Sequence, residues 1–173
     1  MLIDGVGSAP LADSLVEGLR RAGRVVLRVH AEDFQRPAGE RYAWGREDVE
    51  ALRTSWLDAQ ALEREVLRRS TTGTYLPALR DAARDRSARR VPEPVPVGAV
   101  LLVDGVFLLG KTLSAELALH IALSPAALVR RGVPAWQLPA FADYDAINRP
   151  RAVCNVLVRA EDPMRPAVEL RMR

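Results

Sequence analysis

GVFLLGKT, Gly105–Thr112, follows directly on the apolar run AVLLVD, Ala99–Asp104. Letter for letter it satisfies G-x-x-x-x-G-K-[ST], the pattern of a loop that wraps a phosphate in backbone N–H groups at the start of a helix. The physical content of that pattern is smallness, because several amides must converge on one anion. Here the four variable positions are Val106, Phe107, Leu108 and Leu109, and three of them carry bulky side chains that need apolar surroundings. The stretch that follows, LALHIAL (117–123), reads at least as well as a strand as it does as the required helix. We therefore read AVLLVDGVFLL as one buried strand running into a loop, with Lys111 at the surface, and the match as a decoy.

A better place for an anion lies a hundred residues earlier, in IDGVGSAPLADSL (3–15). A short apolar run ends at Asp4-Gly5, and Leu11, Leu15 and Leu19 then fall on one helical face, with Gly23 as a stop. RVVLRVH (24–30) is β-branched and reads as the next strand. Parallel strands need such a helical crossover, so this reads as a βαβ unit. Its first turn, with Gly5, Gly7, Ser8 and Ala9, is small enough to approach a phosphate, and Pro10 suits a helix's first turn. It holds no lysine and a single hydroxyl, and a glycine turn of this length also stands without any ligand.

The bulk composition fits these elements. The chain has 173 residues, 49% apolar and 27% charged, which is enough for one α/β domain over 1–173 with a mostly parallel sheet flanked by helices. The net charge is only +3, and Lys111 is the sole lysine among the basic residues, so no nucleic-acid partner is expected. One cysteine, Cys154, precludes an internal disulfide and suits a reducing cytoplasm. No leader and no apolar run near ~18 residues appears, so neither secretion nor a membrane span is expected.

Between these landmarks, Glu47–Arg69 has a helical apolar side broken near Asp58. Residues 70–98 read as a long irregular connection ending in VPEPVPVG, a length that often carries function. PAALVRRG reads as a short helix, WQLPAFADYDAINRP as a longer one, VCNVLVRA as a last strand with Cys154 buried in it, and EDPMRPAVELRMR as a tail. His30 and His120, each among apolar neighbours, read as structural.

Taken in order, IDGV with LADSL, VHAEDFQRP, VLLVDGVFLL and LPAFADYDAINRPRAVCNVLVRAEDPMRPAV resemble the uridine kinase family of P-loop nucleoside kinases, in particular a divergent bacterial branch. The resemblance spans nearly the whole chain. It implies ATP and Mg²⁺ as cofactors and a nucleoside-like small molecule as phosphate acceptor. It implies that Glu32, with Asp33 and Phe34 after it, stands where the family carries its catalytic aspartate. Asp104 then stands where a carboxylate helps hold Mg²⁺. Arg36 and Tyr42 fall in the substrate-facing loop, with Trp44 and Trp56 as further pocket candidates or ordinary packing. The first turn (Gly5, Gly7, Ser8, Ala9) would contact ATP phosphate, and Arg130 and Arg131 are one partial echo of the family's lid arginines. An acidic pair such as Glu32-Asp33 also has an ordinary reading, as a cap or a solvated turn.

The departure is at the turn itself. Where the family reads GSGKTT, this chain reads GSAP and then LA, without the phosphate-binding lysine or the metal-binding hydroxyl, and about two residues shorter. Met1 also lies directly against the first strand, so that strand reads as clipped. Losing one such electrostatic contact costs about 10²–10³ in rate, so losing two leaves a poor ATP enzyme unless Lys111, on the same edge, replaces them. Two readings remain: a uridine kinase-like phosphotransferase with a degenerate ATP site, or a non-catalytic relative that binds a metabolite or a protein partner.

Overall fold

A computed structural model describes residues 1–171. Strand β1 (Leu2–Asp4) passes into helix α1 (Ser8–Arg21), which returns to β2 (Val26–His30). A 3-10 turn, Ala31–Phe34, leads to α2 (Ala38–Arg41), α3 (Val49–Thr54) and α4 (Ala59–Leu62), the last continuing as a π-helical turn over Glu63–Arg68. The expected break at Asp58 is a helix start: its carboxylate accepts from Ala61 N–H at 2.9 Å, as Asp48 does from Ala51 at 2.6 Å for α3.

Residues 70–98 are not structureless. Strand β3 (Thr74–Tyr75) pairs antiparallel with β6 (Glu93–Pro94), and between them β4 (Arg80–Asp81) pairs with β5 (Arg86–Ser87). The result is one small hairpin nested inside another. Strands of two residues are too short to show any alternation, which is why the sequence reads as irregular there.

The central sheet resumes with β7 (Val100–Gly105) and β8 (Ala118–Ala122). Then come α5 (Pro125–Arg130), a 3-10 turn, α6 (Leu138–Asp143) with a π-helical extension to Asn148, α7 (Pro150–Val153) and β9 (Val156–Arg159). Strand β9 is not the last. Residues of the expected tail form β10 (Ala167–Leu170), antiparallel to β9, and Cys154, buried as expected, ends α7 instead of lying in a strand.

The six strands lie in the order β10-β9-β8-β1-β7-β2, parallel apart from β10. Alternate side chains feed opposite faces. Leu2, Val29 and Val103 join Phe34, Leu62 and Leu108 in one core, while Ile3, Leu102 and Ile121 meet Ala12 and Leu128 in the other. Burial of this completeness contributes about 1.5–3 kcal/mol per large aliphatic side chain. Helix α1 lays Leu11, Leu15 and Leu19 on the second core and ends where Gly23, at φ +75°, gives its N–H to Arg20. Among the described residues no helix is long and apolar enough to cross a membrane.

Candidate functional site

The connections on the two sides of β1 run in opposite directions, toward β7 and β2 on one side and toward β8 and β9 on the other. Such a switch point opens a crevice at the carboxyl ends of the strands, where α/β folds bind ligands. Four features meet at this edge.

The first is the turn between β1 and α1, only Gly5, Val6 and Gly7. Gly5 has φ +119°, and a Cβ there would stand 2.8 Å from the carbonyl oxygen of Ile121, so the position admits only glycine. Its N–H donates to Gly105 O at 2.8 Å, and Ser8 N–H turns back to Gly5 O at 3.1 Å. Gly7, at φ +92°, caps α1, and a Cβ on it would meet the Arg131 guanidinium at 2.5 Å. Arg131 is anchored by a bond to Ala160 O at 2.8 Å, so it lies over the turn. Arg130 points elsewhere, held by Glu161.

The second is Asp4, fully buried at the end of β1. Its Oδ1 accepts from Leu108 N–H at 2.8 Å, and its Oδ2 from the Tyr144 hydroxyl at 3.0 Å, with His120 Nδ1 at 2.7 Å. Leu109 N–H in turn donates to the Tyr144 oxygen at 2.8 Å. A carboxylate only accepts, so the His120 proton is on Nδ1. Burial and the Asp4 charge push the Tyr144 phenol far up, so it stays a donor. This settles GVFLLGKT: its amides face a carboxylate and a phenol, Phe107 packs on Phe141 and Tyr144, and Leu108 and Leu109 are core. Lys111 donates to Arg53 O at 3.0 Å and Thr54 O at 3.3 Å, capping the end of α3. Sequence reasoning missed the Asp4 hub; the signal was an Asp closing an apolar strand with a His at the same level of another.

The third is Asp104, buried at the end of β7. Its Oδ1 accepts from Arg28 Nε at 2.9 Å, and His30 Nδ1 stands 3.2 Å from Oδ1 and 3.3 Å from Oδ2. The same guanidinium donates through Nη2 to Ala9 O at 2.9 Å and through Nη1 to Asp13. Burial works against the Arg28 charge, but the hydrogen bonds and charges of Asp104 and Asp13 outweigh it and raise its pKa. Arg28 thus ties β7 to the first turns of α1. Nothing marked it in the sequence beyond its inward position in a strand.

The fourth is a polar cleft of about 720 Å³ between the end of β2, the 3-10 turn that follows it and the β4–β5 hairpin, with Arg28, His30 and Asp33 in its lining. Burial pushes the Asp33 carboxyl up, opposed by His30 and reinforced by Glu32, Asp81 and Asp104. The hairpin is docked by Asp85, which accepts from Ala38 N–H at 2.9 Å, lies 3.3 Å from Arg41 and 3.4 Å from Arg80. Asp33 lines the cleft, whereas Glu32 is exposed on the 3-10 turn. Arg36 pairs with Glu40, and Tyr42 packs edge-on to Trp56 beneath Arg41, both outside the cleft lining. Trp56 also meets Trp136, and Trp44 is exposed.

A sheet of this strand order, entered by a glycine turn into a helix beside a carboxylate-ended central strand, has the P-loop kinase fold. Among solved structures it is similar to one described as a possible uridine kinase from Bacillus stearothermophilus. The TM-score is 0.74 and the identity 18%, over 90% of this chain and 85% of that one. It is also similar to phosphoribulokinase from Rhodobacter spheroides, with a TM-score of 0.58 and 13% identity over 91% of this chain and 68% of that one. No protein-family model and no curated protein matches the sequence.

ATP and Mg²⁺, which the resemblance implies, fit poorly with these residues. A divalent cation on Asp104 would face a guanidinium already 2.9 Å from the same carboxylate. The Gly5 amide of the first turn and the Ser8 amide that opens α1 are bound to carbonyls, and Arg131 covers Gly7.

Proposed function

We propose that this chain is a kinase-fold protein that binds a small hydroxyl-bearing metabolite in the cleft between β2 and the β4–β5 hairpin, without transferring phosphate from ATP. The single observation that carries this reading is Arg28, whose guanidinium bridges Asp104, Asp13 and Ala9 O where a magnesium-bound triphosphate would need an unpaired carboxylate. Phosphoryl transfer is mostly positioning and charge neutralisation, so a protein whose own cation neutralises the metal's carboxylate lacks the central part of the machinery. The acceptor side is differently kept, with an open cleft and an acid, Asp33, at its floor. One fold neighbour is described as a possible uridine kinase and the other as a phosphoribulokinase, so a nucleoside or a sugar-like compound is the acceptor class to test.

The test is Mg-ATP turnover against a panel of nucleosides and sugars, alongside calorimetric binding of the same compounds. Binding without turnover is expected. Turnover that disappears in Glu32→Gln or Asp33→Asn would establish the phosphotransferase instead.

A further inference from the structure

Resting on the reading just given, the geometry points to a phosphorylated small molecule as the occupant of this cleft, with Arg86 and Arg89 as the groups that take its phosphate. Six arginines line the cleft, Arg28 from β2 and Arg80, Arg84, Arg86, Arg89 and Arg90 from the hairpin and the segment after it, against two carboxylates, Asp33 and Asp81. On a chain whose net charge is only +3, that is a local concentration of positive charge rather than a property of the whole surface.

Four of the six are committed. Arg28 is bound to Asp104, Arg80 donates to Asp85 O at 2.6 Å, Arg84 to Asp81 at 2.9 Å and Arg90 to Glu93 at 2.7 Å. Arg86 faces Asp81 across the β4–β5 pair and its charge helps hold that carboxyl low, though the two close no salt bridge, and the Arg89 side chain makes no ion pair or hydrogen bond among the described residues. Two exposed guanidiniums not closed into salt bridges suit a dianion with several acceptor oxygens, which each can meet through paired N–H groups. No Phe, Tyr or Trp lines the cleft, so a nucleobase would have only the His30 ring and guanidinium planes to stack on, a poorer platform than a nucleoside reader or an RNA groove uses. The cleft is also bounded by the docked hairpin, which suits a compact ligand better than a running phosphodiester backbone.

The experiment is calorimetric titration of the full chain with ribose 5-phosphate, with ribose, and with a single-stranded oligouridine. Ribose 5-phosphate should bind at least about tenfold more tightly than ribose, since a charge-assisted contact is worth a factor of that order. The Arg86→Gln/Arg89→Gln double variant should lose about tenfold or more of that affinity while its melting curve is unchanged, because both side chains are exposed. Equal affinity for ribose and ribose 5-phosphate, an unaffected double variant, or tighter binding of the oligonucleotide would overturn the assignment. ATP consumption, measured in parallel, separates the two readings: turnover with ribose 5-phosphate defeats the absence of transfer and leaves the phosphate site standing. Lack of phosphate discrimination without turnover does the reverse.

Discussion

Arg28 Nε lies 2.9 Å from Asp104 Oδ1 across two adjacent parallel strands, and the guanidinium reaches on to Ala9 O at the start of α1. The contact joins residues from β2, β7 and α1 at the one edge of the sheet where a ligand would enter. Its partner carboxylate is 4% exposed, so it is a buried pair whose members depend on each other.

Removing the cation should therefore be severe. Arg28→Met leaves Asp104 buried with only His30 beside it, and breaking a buried pair by one partner costs about 3–5 kcal/mol. Asp104→Asn with Arg28→Met should recover a large part of that loss. Thermal melts of the two singles and the double give the coupling; a fully additive double would argue against the pair.

Lys111→Ala tests the decoy motif. The substitution removes two donors from the last carbonyls of α3 and should cost about 1 kcal/mol, or roughly 2–4 °C in Tm for a chain of this size. Affinity for any phosphate ligand should not change. A loss of nucleotide binding would restore GVFLLGKT as a phosphate loop.

Tyr144→Phe should destabilise by about 1–3 kcal/mol, because it strands Leu109 N–H in the core and takes one donor from Asp4. Urea unfolding should show a lower midpoint at unchanged slope. An unshifted midpoint would mean that water or backbone movement rescues both groups.

The Asp85 anchor sets a pH dependence. The hydrogen bond from Ala38 N–H, with help from Arg41 and Arg80, holds its carboxyl below the usual range. A depressed carboxylate contributes stability that is present above the unfolded value, about 3.9, and is lost as pH falls through the lower folded one. The Tm difference between wild type and Asp85→Asn should thus be present at neutral pH and shrink below about pH 4. A difference independent of pH would place the hairpin's docking on other contacts.

Much of the fold could be read from residue pattern alone. AVLLVD is apolar at every position before Asp104 because β7 is buried on both faces, and Leu11, Leu15 and Leu19 keep helical spacing because α1 covers one face. The nested hairpins escaped notice because two-residue strands carry no period, and β10 because an exposed edge strand carries no apolar run. The site was half legible. Gly5, Gly7 and Asp104 follow from turn chemistry and strand position, and the unsuitability of Val106–Leu109 for a phosphate follows from side-chain size. Arg28, Arg86 and Arg89 did not follow, since a single arginine in a strand or a loop acquires meaning only when the chain brings it against a carboxylate or a cleft.

A guanidinium carried by the chain differs in kind from a bound metal ion. It is synthesised with the chain at fixed stoichiometry, no chelator can withdraw it, and it keeps its charge at any pH a cell experiences. A magnesium site answers to nucleotide and metal supply; a brace made by Arg28 answers to neither.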